Sequence, residues 1–109
     1  MPAAVLDSIA SELDAATIVA AQAGDRGARR LLVLRYQDRV FHLLRRMLGP
    51  SGVASDAIED LAQEVFMRAF AALARFDVHG AARMSTWLLT IAARRAIDAL
   101  REASRRPRA

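Results

Sequence analysis

Apolar residues recur at three- and four-residue steps along most of this chain, which is the period of a helix with one buried face. The first long set consists of Val33, Tyr36, Val40, Leu44 and Met47. It ends at the stretch Leu48-Gly49-Pro50-Ser51-Gly52, whose glycines and proline do not continue a helix. The pattern therefore predicts a long amphipathic helix with a firm C-terminal end.

The next apolar set has the clearest period in the chain. Ser55 or Asp56 is expected to cap this third helix. Its inner face is predicted to contain Ile58, Leu61, Ala62, Val65, Ala69, Ala72, Leu73 and Phe76. Residues 77–82 interrupt the period and are predicted to form a loop. A last helix is expected to begin near Ser85 or Thr86 and to run to about Ala103.

The remaining segments have weaker patterns. A short helix is predicted from about Asp14, as N-cap, to Ala23, before a break at Gly24-Asp25-Arg26-Gly27. We expect residues 1–13 to be a mobile lead-in and residues 104–109 to be a basic tail or the start of a linker. The predicted fold is all-α, a small bundle of three main helices plus a short N-terminal helix, in one domain over residues 14–103. The second, third and fourth helices should form its core.

Composition narrows the class of protein. With 109 residues, of which 54% are hydrophobic, the chain suits one compact helical core. It has no cysteine and two histidines, His42 and His79, which argues against a disulfide framework or a structural zinc site and fits a reducing cytoplasm. No apolar stretch approaches the ~20 residues that cross a membrane. Phosphate-binding loops and catalytic triads are missing from the sequence, so neither an enzyme nor a cofactor is expected.

Charge is distributed unevenly along the chain. The net charge is +4, and all 16 basic residues are arginine. Arginine binds phosphate and stacks on bases, although a compositional bias toward arginine would give the same count. Four acids and no base lie between Asp56 and Glu64, whereas six arginines follow from Arg94 onward. This separation indicates two partners, or one partner with two faces.

The outward side of the third helix is predicted to dock a basic partner. On a helical wheel it presents Asp56, Asp60, Gln63, Glu64 and Met67, with Glu59 in the same acidic turn. Favourable interaction with the helix dipole would explain the acids of the first turns without any partner. It would not explain the outward methionine, which is typical of a surface that binds a partly apolar partner.

The last helix is apolar apart from one polar stripe. The stripe consists of Thr90, Arg94, Asp98 and Arg101, and Trp87 borders it. Tryptophan beside arginine is the combination that stacks bases and neutralises phosphates in single-stranded nucleic acid. A lone tryptophan in a small domain is more often a core residue, so the sequence allows both roles for Trp87.

Two stretches carry a resemblance to a known family. They are Asp60-Leu61-Ala62-Gln63-Glu64-Val65-Phe66 and Thr86-Trp87-Leu88-Leu89-Thr90-Ile91-Ala92. Together with Gly24-Asp25, Tyr36 and Leu100-Arg101, in this order and spacing, they resemble region 2 of the extracytoplasmic-function (ECF) sigma factors. These are small bacterial initiation factors of the sigma-70 family, and the resemblance covers about residues 15–102.

The resemblance implies a transcription initiation factor domain. In the family, the first stretch docks on the clamp helices of the β′ subunit of RNA polymerase. The polymerase-binding residues are then expected to be Asp56, Glu59, Asp60, Gln63, Glu64 and Met67. The family domain also recognises and helps melt the promoter −10 element, and it holds a flipped non-template base in a pocket beside the loop before the last helix. The expected DNA-binding residues are Asp77, His79, Gly80, Arg83, Met84, Ser85, Trp87, Thr90, Arg94, Arg95, Asp98 and Arg101.

Two residues depart from the family pattern. Met84 stands where an aromatic or other large apolar residue is usual, and Arg94 stands where asparagine is usual. Asparagine offers a donor and an acceptor to a base edge, whereas arginine only donates, so the contact at that position is expected to differ. The helix-turn-helix domain that reads the −35 element in complete members does not follow in this sequence. We therefore expect a fragment, or a protein reduced to its polymerase-binding half.

A function of a different class fits the same features. Family members are commonly held inactive by anti-sigma factors. The bundle could therefore be a protein-interaction module that binds such a regulator without reading DNA itself. In either case no insertion into a membrane is expected.

Overall fold

A computed structural model of the chain describes residues 12–105, and every regular element in that range is helical. Helix α1 spans Ala15–Gln22, α2 spans Arg26–Leu48, α3 spans Ser55–Ala72 and α4 spans Met84–Arg105. One-turn 3-10 segments, Gly49–Ser51 and Leu73–Arg75, follow α2 and α3. The predicted all-α bundle of three long helices and one short helix is confirmed. Among the described helices, none is long and apolar enough to cross a membrane.

Aspartate side chains cap the first two helices. Asp14 Oδ1 accepts a hydrogen bond from the Thr17 amide at 3.2 Å, as predicted, and Asp25 Oδ2 accepts one from the Ala28 amide at 2.7 Å. Gly24 has a φ of 96°, which allows the sharp turn between the two helices. Because Asp25 already caps α2, the break is shorter than predicted and the helix begins at Arg26.

The predicted starts of the two later helices were one or two residues late. Ala54 is the N-cap of α3, with extended backbone angles and no side-chain hydrogen bond, so Ser55 and Asp56 already lie in the helix. Helix α4 begins at Met84, whose buried side chain packs the first turn against the core. It ends at Arg105, two residues beyond the predicted end.

The core lies between α2, α3 and α4, and α1 adds to it. On α2 the buried residues recur at every fourth position and include Leu32 and Leu48. The prediction that Val33 and Met47 belong to the core was wrong, because both are only half-buried. On α3 the predicted Leu61, Ala62 and Ala72 are also half-buried. The other predicted apolar positions are buried, and α1 contributes Ile18 and Ala21. The helical period was therefore right, but the buried stripe of α2 is rotated by about one residue.

Candidate nucleic-acid interface and acidic docking face

A cavity of about 240 Å³ opens between the loop before α4 and the residues that precede α1. One wall is formed by Phe76, Val78 and residues 80–84, and the other by Glu12, Leu13, Ala15 and Ile18. Pockets for drug-sized ligands begin at ~300 Å³, so this space suits a single planar ring. We call it the loop cavity.

The rim of the loop cavity is a compact turn. Asp77 Oδ1 accepts a hydrogen bond from the His79 amide at 3.0 Å, and the Asp77 carbonyl accepts one from the Gly80 amide at 3.1 Å. A Cβ atom on Gly80 would lie 3.0 Å from Asp77 Oδ2, so a side chain there would disturb the turn. Of the predicted DNA-binding residues, Gly80, Arg83 and Met84 line the cavity, whereas Asp77 and His79 lie in the turn beside it.

The opposite wall is fixed by the carboxylate of Glu12. Its two oxygens accept hydrogen bonds from Ser85 Oγ and, at 2.6 Å, from the Tyr36 hydroxyl. The same hydroxyl accepts a hydrogen bond from the Leu13 amide at 2.8 Å. Burial alone would raise the pKa of the Glu12 carboxyl, but the hydrogen bonds from Ser85 and Tyr36 outweigh it and lower that pKa. Glu12 thereby joins the start of the described chain to both α2 and α4.

One prediction about the residues of this wall was wrong. Glu12 and Leu13 were expected to belong to a mobile lead-in, but Tyr36 and Ser85 hold them in place. The remainder of that segment, residues 1–11, and most of the predicted basic tail, residues 106–109, lie outside the described residues. Glu12 could not be predicted from the sequence, because its partner Ser85 lies 73 positions away.

Aromatic packing and a glutamine support the cavity from behind. The rings of Phe76 and Trp87 lie 5.3 Å apart at 56°, and Trp87 is half-buried, so it combines a core role with an accessible face. Gln22 donates from Nε2 to the carbonyls of Leu73 and Phe76 at 3.0 and 2.7 Å. These bonds fix the turn that leads into the loop. The sequence did not single out Gln22 either.

The polar stripe of α4 lies at the surface. Thr90, Arg94 and Arg101 are exposed, and Asp98 is half-buried with a carboxylate oxygen 4.0 Å from the Arg68 guanidinium. Within residues 12–105, neither Arg94 nor Arg101 forms an ion pair. Both guanidinium groups are therefore free of carboxylates on this domain and can contact phosphate.

Arg95 lies in a different environment from its neighbour on α4. It is only 9% exposed and bonds to Glu64 of α3 and, at 3.5 Å, to Glu102. The hydrogen bond that Arg95 donates to Glu64 raises the pKa of the Arg95 guanidinium. Arg95, Met84 and Ser85 are thus the predicted DNA-binding residues that the structure buries. The alternation of charges along α4 does not reveal which arginine faces a neighbouring helix.

The outward side of α3 forms the acidic docking face, made of Asp56, Glu59, Asp60, Gln63, Glu64 and Met67. Five of these residues are exposed, and Met67 is 71% exposed. Glu64 differs from the prediction, because its bond to Arg95 and its 3.8 Å contact with Arg68 keep it half-buried. A cleft of about 280 Å³ between α2 and α3, lined by Phe41, Phe66 and Gln63 among others, borders the face. The face therefore offers negative charge next to apolar surface.

No group of metal-ligating side chains converges anywhere in the part of the chain that is described.

Together these features define a small helical domain with a base-sized cavity and arginines on one helix and an acidic docking face on another. Residues 32–106 match the family model for sigma-70 region 2. The chain belongs to this family, and within it to the region 2 domains of ECF sigma factors, as its similarity to them indicates.

Several curated relatives resemble the chain. It is 39% identical over 79 residues to the ECF RNA polymerase sigma factor SigW of Bacillus subtilis, covering 72% of this chain and 39% of that protein. It is 41% identical over 86 residues to the ECF RNA polymerase sigma-E factor of Escherichia coli K12, covering 79% and 41%. It is 35% identical over 99 residues to the RNA polymerase sigma-H factor of Pseudomonas aeruginosa, covering 91% and 48%. The chain thus spans less than half the length of each of these relatives.

A solved structure has the same fold. It is the NMR structure of an engineered region 2 of sigmaE in complex with GTAAAA. Its TM-score with this chain is 0.74 at 36% sequence identity, and the match covers 89% of this chain and 95% of that one.

Proposed function

We propose that this domain acts in bacterial transcription initiation, where it binds the RNA polymerase core and recognises the promoter −10 element as single-stranded DNA. The observation that carries the proposal is the loop cavity. It has room for one base, lies against Phe76, whose ring packs on that of Trp87, and occurs in the fold that was solved with GTAAAA.

Base capture suits this geometry. Taking a base out of a stack costs a few kcal/mol, which contacts in a closed pocket can offset. The wall of the cavity combines polar groups with apolar side chains, and Phe76 forms part of it. Arg94 and Arg101 on the polar stripe, further along α4, would hold phosphates of the same strand beyond the captured base.

The acidic docking face supports the polymerase contact. Its exposed carboxylates, the exposed Met67 and the adjoining cleft between α2 and α3 suit a basic and partly apolar helical partner. The proposed partner is the pair of clamp helices of the β′ subunit. The polymerase would then bind α3 and the DNA would bind α4, and both helices belong to the same core. The domain would act in the cytoplasm.

Trp87 fluorescence tests the DNA contact directly, because Trp87 is the only tryptophan and lies beside Phe76. The domain is titrated with single-stranded GTAAAA, with a hexanucleotide of the same composition in shuffled order, and with a duplex. We expect a saturable change that is strongest for one single strand. Weak and equal binding of the two single strands and the duplex would contradict sequence recognition, because charge attraction alone would then explain the binding.

A second candidate function is supported by exposed apolar residues elsewhere. Val19 on α1 and Leu31 and Leu34 on α2 are 49%, 52% and 54% exposed. Leu31 lines a groove with Ala16 and Ala20 between the two helices. Neighbouring exposed apolar groups mark protein contacts, so this surface suits a regulator such as an anti-sigma factor. Tight binding of such a regulator with no response to any single strand would favour this alternative.

A further inference from the structure

We propose that Glu12 is a specificity-determining residue of the loop cavity, where its carboxylate selects a base with an amino group at purine C6 or pyrimidine C4. These bases are adenine and cytosine, whereas guanine and thymine carry a carbonyl oxygen at that position. The inference rests on the proposed function, because it assumes that the cavity takes a base. Glu12 lies outside both the loop before α4 and α4 itself, so it would be an additional residue that recognises promoter DNA.

The lining of the cavity singles out Glu12. Most lining residues are apolar or glycine, and the charged ones are Glu12 and Arg83. Arginine only donates hydrogen bonds, so Glu12 provides the sole side-chain acceptor among the residues that line the cavity. Among the side chains, a base edge in this space would therefore meet one charged acceptor and one charged donor, at opposite walls.

The position of the carboxylate is fixed before any ligand binds. Ser85 Oγ and the Tyr36 hydroxyl each donate to one oxygen of Glu12, and both donors belong to buried residues. An ionised carboxylate has about four acceptor positions, so two bonds leave acceptor capacity for a ligand. A preorganised acceptor discriminates better than a flexible one, because little side-chain freedom is lost on binding.

The chemistry of the bases gives the direction of the preference. Adenine and cytosine carry an amino group where guanine and thymine carry a carbonyl oxygen. With this group turned toward Glu12, the carboxylate accepts a hydrogen bond from the amine of adenine or cytosine, but it repels the carbonyl oxygen of guanine or thymine. The second amine of guanine lies at the other end of its base-pairing edge.

The test compares Glu12→Gln with wild type on GTAAAA and all its single substitutions, read by Trp87 fluorescence. Glutamine keeps the shape and an acceptor oxygen but also donates, so it can bind amino and carbonyl edges alike. In the wild type we expect one position at which the amino base binds about tenfold better than its carbonyl counterpart. In Glu12→Gln this preference should disappear at that position alone.

The matched control is Asp14→Asn, which removes a carboxylate two residues away that caps α1 and does not line the cavity. Asparagine caps helices as well as aspartate does, so this variant should keep the wild-type preference. A second measurement avoids any folding defect: wild-type protein is titrated with an oligonucleotide in which purine, which lacks the amine, replaces the selected adenine. A loss of about tenfold is expected there as well.

The outcomes separate the two proposals. If the wild type binds no single strand, the proposed function fails and the role of Glu12 fails with it. If it binds selectively but Glu12→Gln has the same preference, or if purine binds as well as adenine, the role of Glu12 is overturned and the function stands. A wild-type preference for guanine or thymine at the affected position would also overturn it.

Discussion

Removal of Glu64 is expected to destabilise the domain more than removal of its partner Arg95. The reason is the difference in burial within one ion pair. The Arg95 side chain is 11% exposed, whereas that of Glu64 is 41% exposed. Glu64→Gln leaves a nearly buried guanidinium with Glu102, which is 3.5 Å away and itself 58% exposed. Arg95→Met leaves a carboxylate that water and Arg68 can stabilise.

The magnitudes follow from these exposures. An unpaired charge in a protein interior costs ~3 to 5 kcal/mol, and an exposed pair contributes ~0.2 to 1 kcal/mol. Glu102 and the retained amide oxygen of glutamine offset part of the loss, so we expect about 1.5 to 2.5 kcal/mol for Glu64→Gln. For Arg95→Met we expect about 0.5 to 1 kcal/mol, since solvent screens the remaining carboxylate.

Urea unfolding followed by Trp87 fluorescence measures both values. Arg94→Met is the matched control, because Arg94 is the adjacent residue on α4, is exposed and has no ion pair within the described residues. Its effect should stay within about 0.5 kcal/mol. Equal losses for Glu64→Gln and Arg95→Met, or the reverse order, would refute the argument from burial. A double-mutant cycle with no coupling would refute the ion pair itself.

Three further predictions concern the proposed contacts and the core. Reversal of Glu59 and Asp60 to arginine should weaken binding to a β′ clamp-helix fragment by ~2 to 5 kcal/mol. Helix content should not change, because both residues are exposed, unlike Glu64. Wild-type affinity in a pull-down or titration would contradict this prediction. If Arg94 holds phosphate, Arg94→Ala should lower the affinity for all single strands alike. If Arg94 reads a base, Arg94→Asn should change the preference at one promoter position. Binding of both variants to a panel of −10 sequences decides between the two roles. Burial, together with the hydrogen bond to Glu12, raises the pKa of Tyr36 from 10.0 to about 12. Because the folded-state pKa is raised, about 2 to 3 kcal/mol of stability should be present below pH 10 and be lost as the pH rises toward 12. The absorbance of the single tyrosine should therefore titrate near 12, and a titration near 10 would contradict a buried hydroxyl.

The sequence predicted the helices better than their contacts. The pattern of apolar residues located the three long helices, because burial of one face is a local property of each helix, and a cap and a glycine-containing break located α1. It did not decide whether Leu32 or Val33 is buried, since that depends on which helices surround α2. Preference for polar caps pointed to Ser55 or Asp56, but Ala54 adopts the extended cap conformation without a side-chain bond.

The candidate site could be predicted only where its residues are close in sequence. The loop before α4 and the stripe on α4 were found from composition, spacing and the family resemblance. The opposite wall of the cavity was not, because Glu12 and Gln22 act through contacts that span 73 and 51 positions. Charge alone also did not separate Arg95, which pairs with α3, from the exposed Arg94 beside it.

The contact between Glu12 and Ser85 also has a consequence for the order in which the domain opens and closes. The two walls of the loop cavity come from distant parts of the chain, so the cavity forms only after α2 and α4 have packed and the residues before α1 have docked on them. Such a docked segment opens locally at a lower free energy than the core unfolds. Hydrogen exchange at the Leu13 amide, which bonds to Tyr36, reports that opening directly. A ligand that needs both walls binds only the closed form and slows this exchange in proportion to its occupancy. The proposed capture of a base and the docking of Glu12 and Leu13 are thus one linked equilibrium.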